Sequence, residues 1–115
     1  MFVSHVDDIE KKELKGDAIL GVTKQVLIGE KEGWADYVMR RFSLSKGGYA
    51  PYHTHPWPHI TYVLEGEGIL HLDGKDYPLT AGSTSYVPSN MIHQIKATKD
   101  SHLVFLCIVP PQGDV

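Results

Sequence analysis

The sequence contains a single cysteine, Cys107, so an internal disulfide bond is excluded. A lone cysteine agrees with a reducing compartment. No apolar run approaches the roughly 20 residues that a membrane-spanning helix needs. The first eight residues also lack the basic start and the apolar core of a signal peptide. We therefore expect a cytoplasmic protein with no membrane partner.

Charge of one sign is not concentrated anywhere in the chain. The 14 acidic and 11 basic residues give a net charge of -3 and are scattered without blocks. Nucleic-acid-binding proteins present a basic stripe or patch, so we expect no nucleic-acid partner. A length of 115 residues, of which 42% are hydrophobic, suits one domain with its own core and leaves no room for a second.

Helical periodicity is missing as well. Short β-rich segments instead alternate with turn residues every 8 to 12 positions or so, as in antiparallel sandwiches and barrels. The Asp73-Gly74 pair is the strongest hairpin signal, and 46–48 has the composition of a turn. We predict an all-β protein of about nine or ten strands, which include 22–28, 37–44, 59–66, 68–72, 75–79, 83–87, 91–95 and 102–109.

The last predicted strand is apolar at odd and even positions alike, which indicates that both of its faces are covered. A domain of this size cannot easily cover both, so we expect a homodimer whose interface hides one face. We divide the chain into an N-terminal arm (1–21) that packs on the partner subunit, a barrel (22–109) and a tail (110–115).

The segment that begins at His53 is the richest in potential metal ligands, because three of the seven histidines fall within seven positions there. His53 and His55 would point to the same side of a strand, with side-chain origins roughly 7 Å apart. Pro56 and Pro58 cannot donate to a sheet ladder, so the chain should turn there and return near His59. Three imidazoles converging on one point predict a metal site.

This segment resembles the first sequence motif of the cupin family. That motif consists of a glycine, two histidines one residue apart, a glutamate and a closing glycine at fixed spacing. Gly47, His53, His55 and Gly66 match it, whereas His59 stands in the glutamate position. Cupins with a histidine there exist, and the small four-histidine cupins of bacteria, some of which carry manganese, are the most similar subgroup we can name.

The second cupin motif follows in the C-terminal half. Gly82, Pro88 and His93 match it, Asn90 replaces a glycine and Ala97 replaces an asparagine. Asparagine tolerates the left-handed turn that the glycine supplies. The resemblance covers residues 47–97. It implies a double-stranded β-helix, or jelly-roll, barrel that holds one divalent metal ion through His53, His55, His59 and His93.

The resemblance also suggests chemistry. Four neutral imidazoles would leave a divalent ion its full charge, which favours an anionic or enolisable carbonyl substrate. Imidazole alone favours copper, nickel and zinc over manganese and iron, so manganese rests on the resemblance and the other four ions stay open. We expect a metal-dependent oxidoreductase of dioxygenase type that acts on a small carbonyl or carboxylate compound. A non-catalytic small-ligand-binding cupin and a metal-dependent isomerase or lyase are the alternatives.

Four further side chains are candidates for the pocket. Arg40 would share a strand face with apolar residues unless a bulge intervenes; we favour an ion pair at the surface or an interface over a role as substrate anchor. Phe105 would exclude water, and Cys107 is a small buried hydrophobe or part of the cavity wall. Trp57 plugs the barrel end or caps the pocket mouth. His5, His71 and His102 fit no motif, and we expect structural or solvated roles for them. We expect Tyr62 to be a core or interface residue and not a catalytic acid.

Overall fold

Nine β-strands make up most of the regular structure of the chain, as its turn spacing predicts. The computed structural model describes residues 1–114. Within them, three 3-10 turns (Val6–Asp8, Glu30–Glu32 and Pro111–Gly113) accompany the strands, and no helix is long and apolar enough to cross a membrane. The strands are β1 Lys12–Leu14, β2 Leu20–Ile28, β3 Val38–Tyr49, β4 His59–Gly66, β5 Gly68–Leu72, β6 Lys75–Leu79, β7 Thr84–Val87, β8 His93–Ala97 and β9 Leu103–Val109.

All the strand pairs are antiparallel and belong to one curled sheet. Its order is β6-β5-β8-β3-β9-β4-β7, with β2 paired to β3 and β1 paired to β2. The β5-β6 hairpin turns at Asp73 and Gly74, whose φ values of 49° and 81° are the positive pair that a tight primed turn requires. The all-β prediction is confirmed.

The core lies on the concave face of this sheet. Alternate residues of β9 point inward and are buried: Leu103, Phe105, Cys107 and Val109. They stand opposite the even-numbered residues of β3, from Leu44 to Val38. The other face of β9 carries Leu106 and Ile108, which stay partly exposed. The described chain therefore covers one face of β9 and leaves the second, equally apolar face open at Leu106 and Ile108, although Val104 on that face is buried.

Two predicted turns and strand starts differ from the structure. The expected turn at 46–48 is a bulge inside β3, because the register with β2 jumps between Val22↔Leu44 and Leu20↔Tyr49. The strand predicted from Met91 begins instead at His93. A turn through Asn90 precedes it, in which the Met91 amide donates to the Pro88 carbonyl over 3.4 Å. Asn90 has φ 67°, so it adopts the left-handed conformation expected of it.

The predicted arm contacts the barrel of its own chain. β1 pairs with β2, and the Gln25 side chain donates to the carbonyls of Val6 and Ile9 over 2.9 and 3.0 Å. Packing of the arm on a partner subunit stays a prediction. The tail forms the 3-10 turn Pro111–Gly113 and folds back on the barrel, where Gly113 is buried. Val115, the end of the predicted tail, lies outside the described residues.

Candidate metal centre

A backbone bridge places the first two histidines. His53 and His93 stand opposite each other, and each amide donates to the other residue's carbonyl over 3.1 Å. In such an antiparallel pair the two side chains project from the same face, with Cα atoms about 5.5 Å apart. Their ring centroids are 4.9 Å apart. The sheet therefore fixes two imidazoles side by side without help from any other side chain.

His55 completes a cluster of three. Its ring centroid is 5.1 Å from that of His53 and 4.8 Å from that of His93. One ring nitrogen from each of the three lies within 4.8 Å of the others. Ligands held about 2.1 Å from one ion are up to about 4.2 Å apart, so small ring rotations bring all three nitrogens to a common centre. The cluster could bind one metal ion.

Backbone carbonyls fix the protonation of two of these rings. His55 Nδ1 lies 2.7 Å from the Trp57 carbonyl oxygen, and His93 Nδ1 lies 2.9 Å from that of Met91. A carbonyl oxygen only accepts, so each Nδ1 carries the proton and each Nε2 keeps a free lone pair. Such outer partners orient metal ligands. The sequence cannot reveal them because a backbone carbonyl leaves no trace in residue type.

His59 stands beside this cluster of three. It begins β4, and its ring centroid is 5.2 Å from that of His55 and 5.0 Å from that of His93. Burial, followed by the charges of the other three histidines and Arg40, lowers the pKa of His59 to about 3. Burial also lowers the pKa of His93, against its hydrogen bond to Met91, and that of His53. All three therefore favour the neutral form that binds metal.

These shifts predict acid sensitivity of the metal-free protein. His59 has a pKa of about 3 when folded against an ordinary value of 6.5. Between these values the unfolded chain binds the extra proton, so the free energy of unfolding should fall as pH drops below 6.5, by up to about 1.4 kcal/mol per pH unit for this group. Urea unfolding of metal-free protein at several pH values measures the slope. His59→Asn should flatten it; an unchanged slope would contradict the assignment.

The histidines open into a cavity of about 370 Å³. All four sequence-predicted ligands and all four pocket candidates line it. No carboxylate is among the lining residues of the described chain, and the rest of the wall is mainly apolar: Leu14, Ile19, Val22, Phe42, Leu44, Ala50, Pro51, Leu70 and Ile95. The structure thus brings the predicted site residues together around one small apolar chamber.

Arg40 lies inside the barrel, so the preferred interpretation as a surface or interface residue is wrong. Only 8% of it is exposed. Its guanidinium sits 4.9 Å from the centre of the Phe42 ring, and Nη2 donates to Cys107 Sγ over 3.1 Å. Nη1 is 3.7 Å from Asp114 Oδ1. An aromatic face and a nearby carboxylate offset the cost of burying the charge.

Trp57 and Cys107 form two other parts of the wall. The Trp57 indole stacks on the His55 ring, with centroids 4.9 Å apart and planes 9° apart. Behind the indole, a Cβ at Gly113 would lie only 2.7 Å from Trp57 Nε1, so the tail passes it in close contact. Burial raises the pKa of the Cys107 thiol although Arg40 opposes this. Cys107 is therefore a neutral, apolar wall residue.

Sequence reasoning missed two charged residues of the site. Lys24 is 8% exposed, lines the cavity, and places Nζ 2.5 Å from Asp114 Oδ1. The alternation of β2 could have revealed Lys24, since Val22 and Lys24 share one face. Asp114 had no such signal because its position depends on how the tail folds back. The other histidines contact carboxylates away from the cavity, in the pairs His5 with Asp7, His71 with Asp76 and His102 with Glu65.

Comparison with known families agrees with this architecture. The Cupin_2 family model, described as a cupin domain, matches residues 40–109, more than half of the chain. The chain is a cupin. Its jelly-roll barrel, predicted from the two motifs, is confirmed. Solved cupins superpose closely: polyketide cyclase RemF from Streptomyces resistomycificus has a TM-score of 0.89 at 27% identity and covers 96% of this cupin and 79% of that chain.

Further relatives are similar to this cupin over part of their length. The oxalate-binding protein of Thermotoga maritima is 36% identical over 70 residues, which are 60% of this chain and 58% of the relative. Auxin-binding protein 1 of Arabidopsis thaliana is 34% identical over 101 residues, 78% of this chain and 49% of the relative. This cupin therefore spans about half the length of these two relatives. A crystal structure described as a predicted oxalate decarboxylase from Thermotoga maritima has a TM-score of 0.86 at 26% identity and covers 95% of this chain and 98% of that one.

Proposed function

We propose that this cupin is a cytoplasmic, metal-dependent oxidoreductase of dioxygenase type that acts on a small carboxylate or carbonyl compound. His53, His55, His59 and His93 are its proposed metal ligands, and manganese is the proposed ion because of the likeness to four-histidine cupins. The observation that carries the proposal is the convergence of three ring nitrogens within 4.8 Å of one another at the wall of an apolar cavity.

The residues of the cavity suit this chemistry. A divalent ion held there by the histidines would supply Lewis acidity and, if it is manganese or iron, redox capacity. The neutral histidines cancel none of its charge, and no carboxylate lines the cavity in the described chain, so an anionic substrate is favoured. Phe105 and its stacked neighbour Phe42, 5.4 Å away between centroids, exclude water from one side. Lys24 and Arg40 add positive charge to the same wall.

Elemental analysis and electron paramagnetic resonance test the proposal directly. Protein purified without chelator or affinity metal should contain about one redox-active ion per chain. The loaded protein should then consume oxygen with at least one member of a panel of 1,3-dicarbonyls, thiols and catechols, and His93→Ala should not. Loaded protein that consumes no oxygen with any member of the panel would contradict dioxygenase chemistry.

Two alternatives have support from specific relatives. Similarity to an oxalate-binding protein favours a non-catalytic ligand-binding cupin; calorimetry should then show oxalate binding that survives removal of the metal. Similarity to a polyketide cyclase favours a metal-dependent isomerase or lyase, which would convert its substrate without oxygen uptake. That reaction needs a general base, and the nearest acidic candidates in sequence, Glu65 and Glu67, are exposed at the end of β4.

We also propose a homodimer formed through the open face of β4, β7 and β9. Ile60, Tyr62 and Tyr86 are 46%, 47% and 60% exposed there and line an apolar groove with Leu106 and Ile108. The arm (1–21) would reach the partner through its exposed apolar start. Sedimentation velocity should show a dimer that Tyr62→Lys dissociates, because a charge would be buried at the interface. Tyr52→Lys, at an exposed tyrosine elsewhere, should leave it intact; a monomeric parent protein would contradict the proposal.

A further inference from the structure

Two buried cations share the cavity with the histidines. Lys24 and Arg40 are each 8% exposed, and both side chains line the chamber. Burying a charge is costly unless an opposite charge or several hydrogen bonds compensate. The only carboxylate recorded in contact with them in the described chain is that of Asp114, 2.5 Å from Lys24 Nζ and 3.7 Å from Arg40 Nη1. Two cations facing one carboxylate leave a surplus positive charge in this part of the cavity.

Asp114 neutralises only one of these two cations. Its Oδ1 lies 2.5 Å from Lys24 Nζ, an ion-pair contact, but 3.7 Å from Arg40 Nη1, which is beyond hydrogen-bond reach. Within residues 1–114 the buried Arg40 Nε has no hydrogen-bond partner. The remaining contacts of the guanidinium are a sulfur atom, Cys107 Sγ at 3.1 Å, and the Gly113 carbonyl oxygen at 3.5 Å. A guanidinium offers five donors arranged to fit a carboxylate, and sulfur is a weak acceptor. Arg40 therefore retains unused capacity to bind an oxyanion.

The sheet places the unused donors of Arg40 beside the candidate metal centre. Arg40, Cys107 and Thr61 stand side by side across β3, β9 and β4. His59 begins β4 two residues before Thr61, so its row of the sheet is adjacent on the same face, roughly 7 Å along the strands. A small molecule in the cavity can thus approach the histidines and the cations together.

We propose that Lys24 and Arg40 form a carboxylate-binding subsite with Asp114 as its internal occupant, and that a small organic carboxylate binds by displacing Asp114 and the turn that carries it. This inference deepens the proposed function, and its role in the reaction rests on that function. Asp114 belongs to the segment after β9 and is not part of the sheet, so it can leave without breaking strand pairs.

Displacement of the Pro111–Gly113 turn would alter the surroundings of the candidate metal centre. Gly113 packs against the Trp57 indole, and that indole stacks on His55. Movement of the Pro111–Gly113 turn therefore changes the surroundings of Trp57. Indole fluorescence should report the displacement, provided that the second tryptophan, Trp34, is replaced by phenylalanine.

The test titrates metal-free Trp34→Phe protein with malonate and follows Trp57 fluorescence. Malonamide, the uncharged diamide of similar shape, serves as the control probe. Asp114→Asn should tighten malonate binding by about tenfold or more, the change that one charged hydrogen bond is worth. Asp100→Asn removes the same charge from an exposed turn and should change affinity by less than about twofold, because exposed charges at a distance are screened. Arg40→Gln should weaken binding by about tenfold.

The decisive result is a gain in malonate affinity, which a misfolded variant cannot produce. Tighter malonate binding by Asp114→Asn than by Asp100→Asn, with no response to malonamide, supports the subsite whether or not the histidines bind metal. Equal malonate affinities in the two variants, or an equal response to malonamide, overturn it and mean that Lys24, Arg40 and Asp114 form a structural ion-pair cluster. That outcome leaves the metal proposal standing, because the titration uses no metal.

Discussion

Replacing His93 with alanine is expected to abolish stable metal binding. His93 contributes a ring nitrogen to the three-histidine cluster, and its Nδ1 proton is already held by the Met91 carbonyl. Loss of an outer partner of a metal ligand costs about 10–100-fold in affinity, so loss of the ligand itself should exceed that range. Competition with a chromogenic chelator, with manganese and zinc in parallel, measures the change.

His71→Ala is the matched control, because His71 lies in β5 and pairs with Asp76 away from the cavity. It should retain the parent affinity for metal. Circular dichroism checks the folding of each variant, because His93 also forms the backbone bridge to His53. Alanine keeps the backbone groups of that bridge, so we expect His93→Ala to fold. Parent-like metal affinity in folded His93→Ala would show that the cluster is not a metal site.

The same measurement on His59→Ala separates three ligands from four. If His59 is a ligand, its loss should approach the loss seen for His93. If it only adjoins the cluster, the effect should stay within the roughly 10–100-fold range of an outer partner. The ring lies close enough for either role, at 5.0 Å from His93 between centroids. A loss equal to that of His93→Ala would establish the four-histidine centre.

Local sequence signals predicted most of the strands of the barrel. The hairpin at Asp73 and Gly74 follows from the positive φ values that these two residue types tolerate. The inward residues of β9 follow from alternation. The bulge in β3 did not follow, because Gly47 and Gly48 suit a turn and a bulge equally well. The choice between them depends on pairing with Leu20, a contact distant in sequence.

The candidate site was likewise predicted only in part. Strand period and the two prolines brought His53, His55 and His59 into one prediction, and the resemblance to the second cupin motif added His93. On the cationic side of the cavity only Arg40 was predicted, as a pocket candidate, and Lys24 and Asp114 were missed. Asp114 lies 74 positions beyond Arg40, and the contact between them depends on how the tail folds back. A charged residue that shares a strand face with apolar residues is therefore better interpreted as a buried pocket residue, whose ion-pair partner lies elsewhere in the chain, than as a surface residue.

Replacing Gly66 with alanine should produce the largest loss of stability. Gly66 has φ +88°, a conformation that residues with a side chain rarely adopt. A Cβ at this position would lie 1.9 Å from the His102 carbonyl oxygen, where β4 pairs with the start of β9. A backbone atom cannot move aside as a flexible side chain can. We expect the free energy of unfolding to fall by more than about 3 kcal/mol, as measured by urea denaturation.

Gly82→Ala separates the cost of the positive φ from the cost of the steric contact with His102. Gly82 has a similar φ of +92°, but no atom lies within 4 Å of a Cβ built there. That variant should lose only the roughly 1–2 kcal/mol that a left-handed backbone costs a residue with a side chain. The difference between the two variants then measures the contact with His102. Equal losses would mean that the closing glycine of the first motif is required for its backbone angle alone; a larger loss at Gly66 means that the close approach of β4 to β9 requires a residue without a side chain.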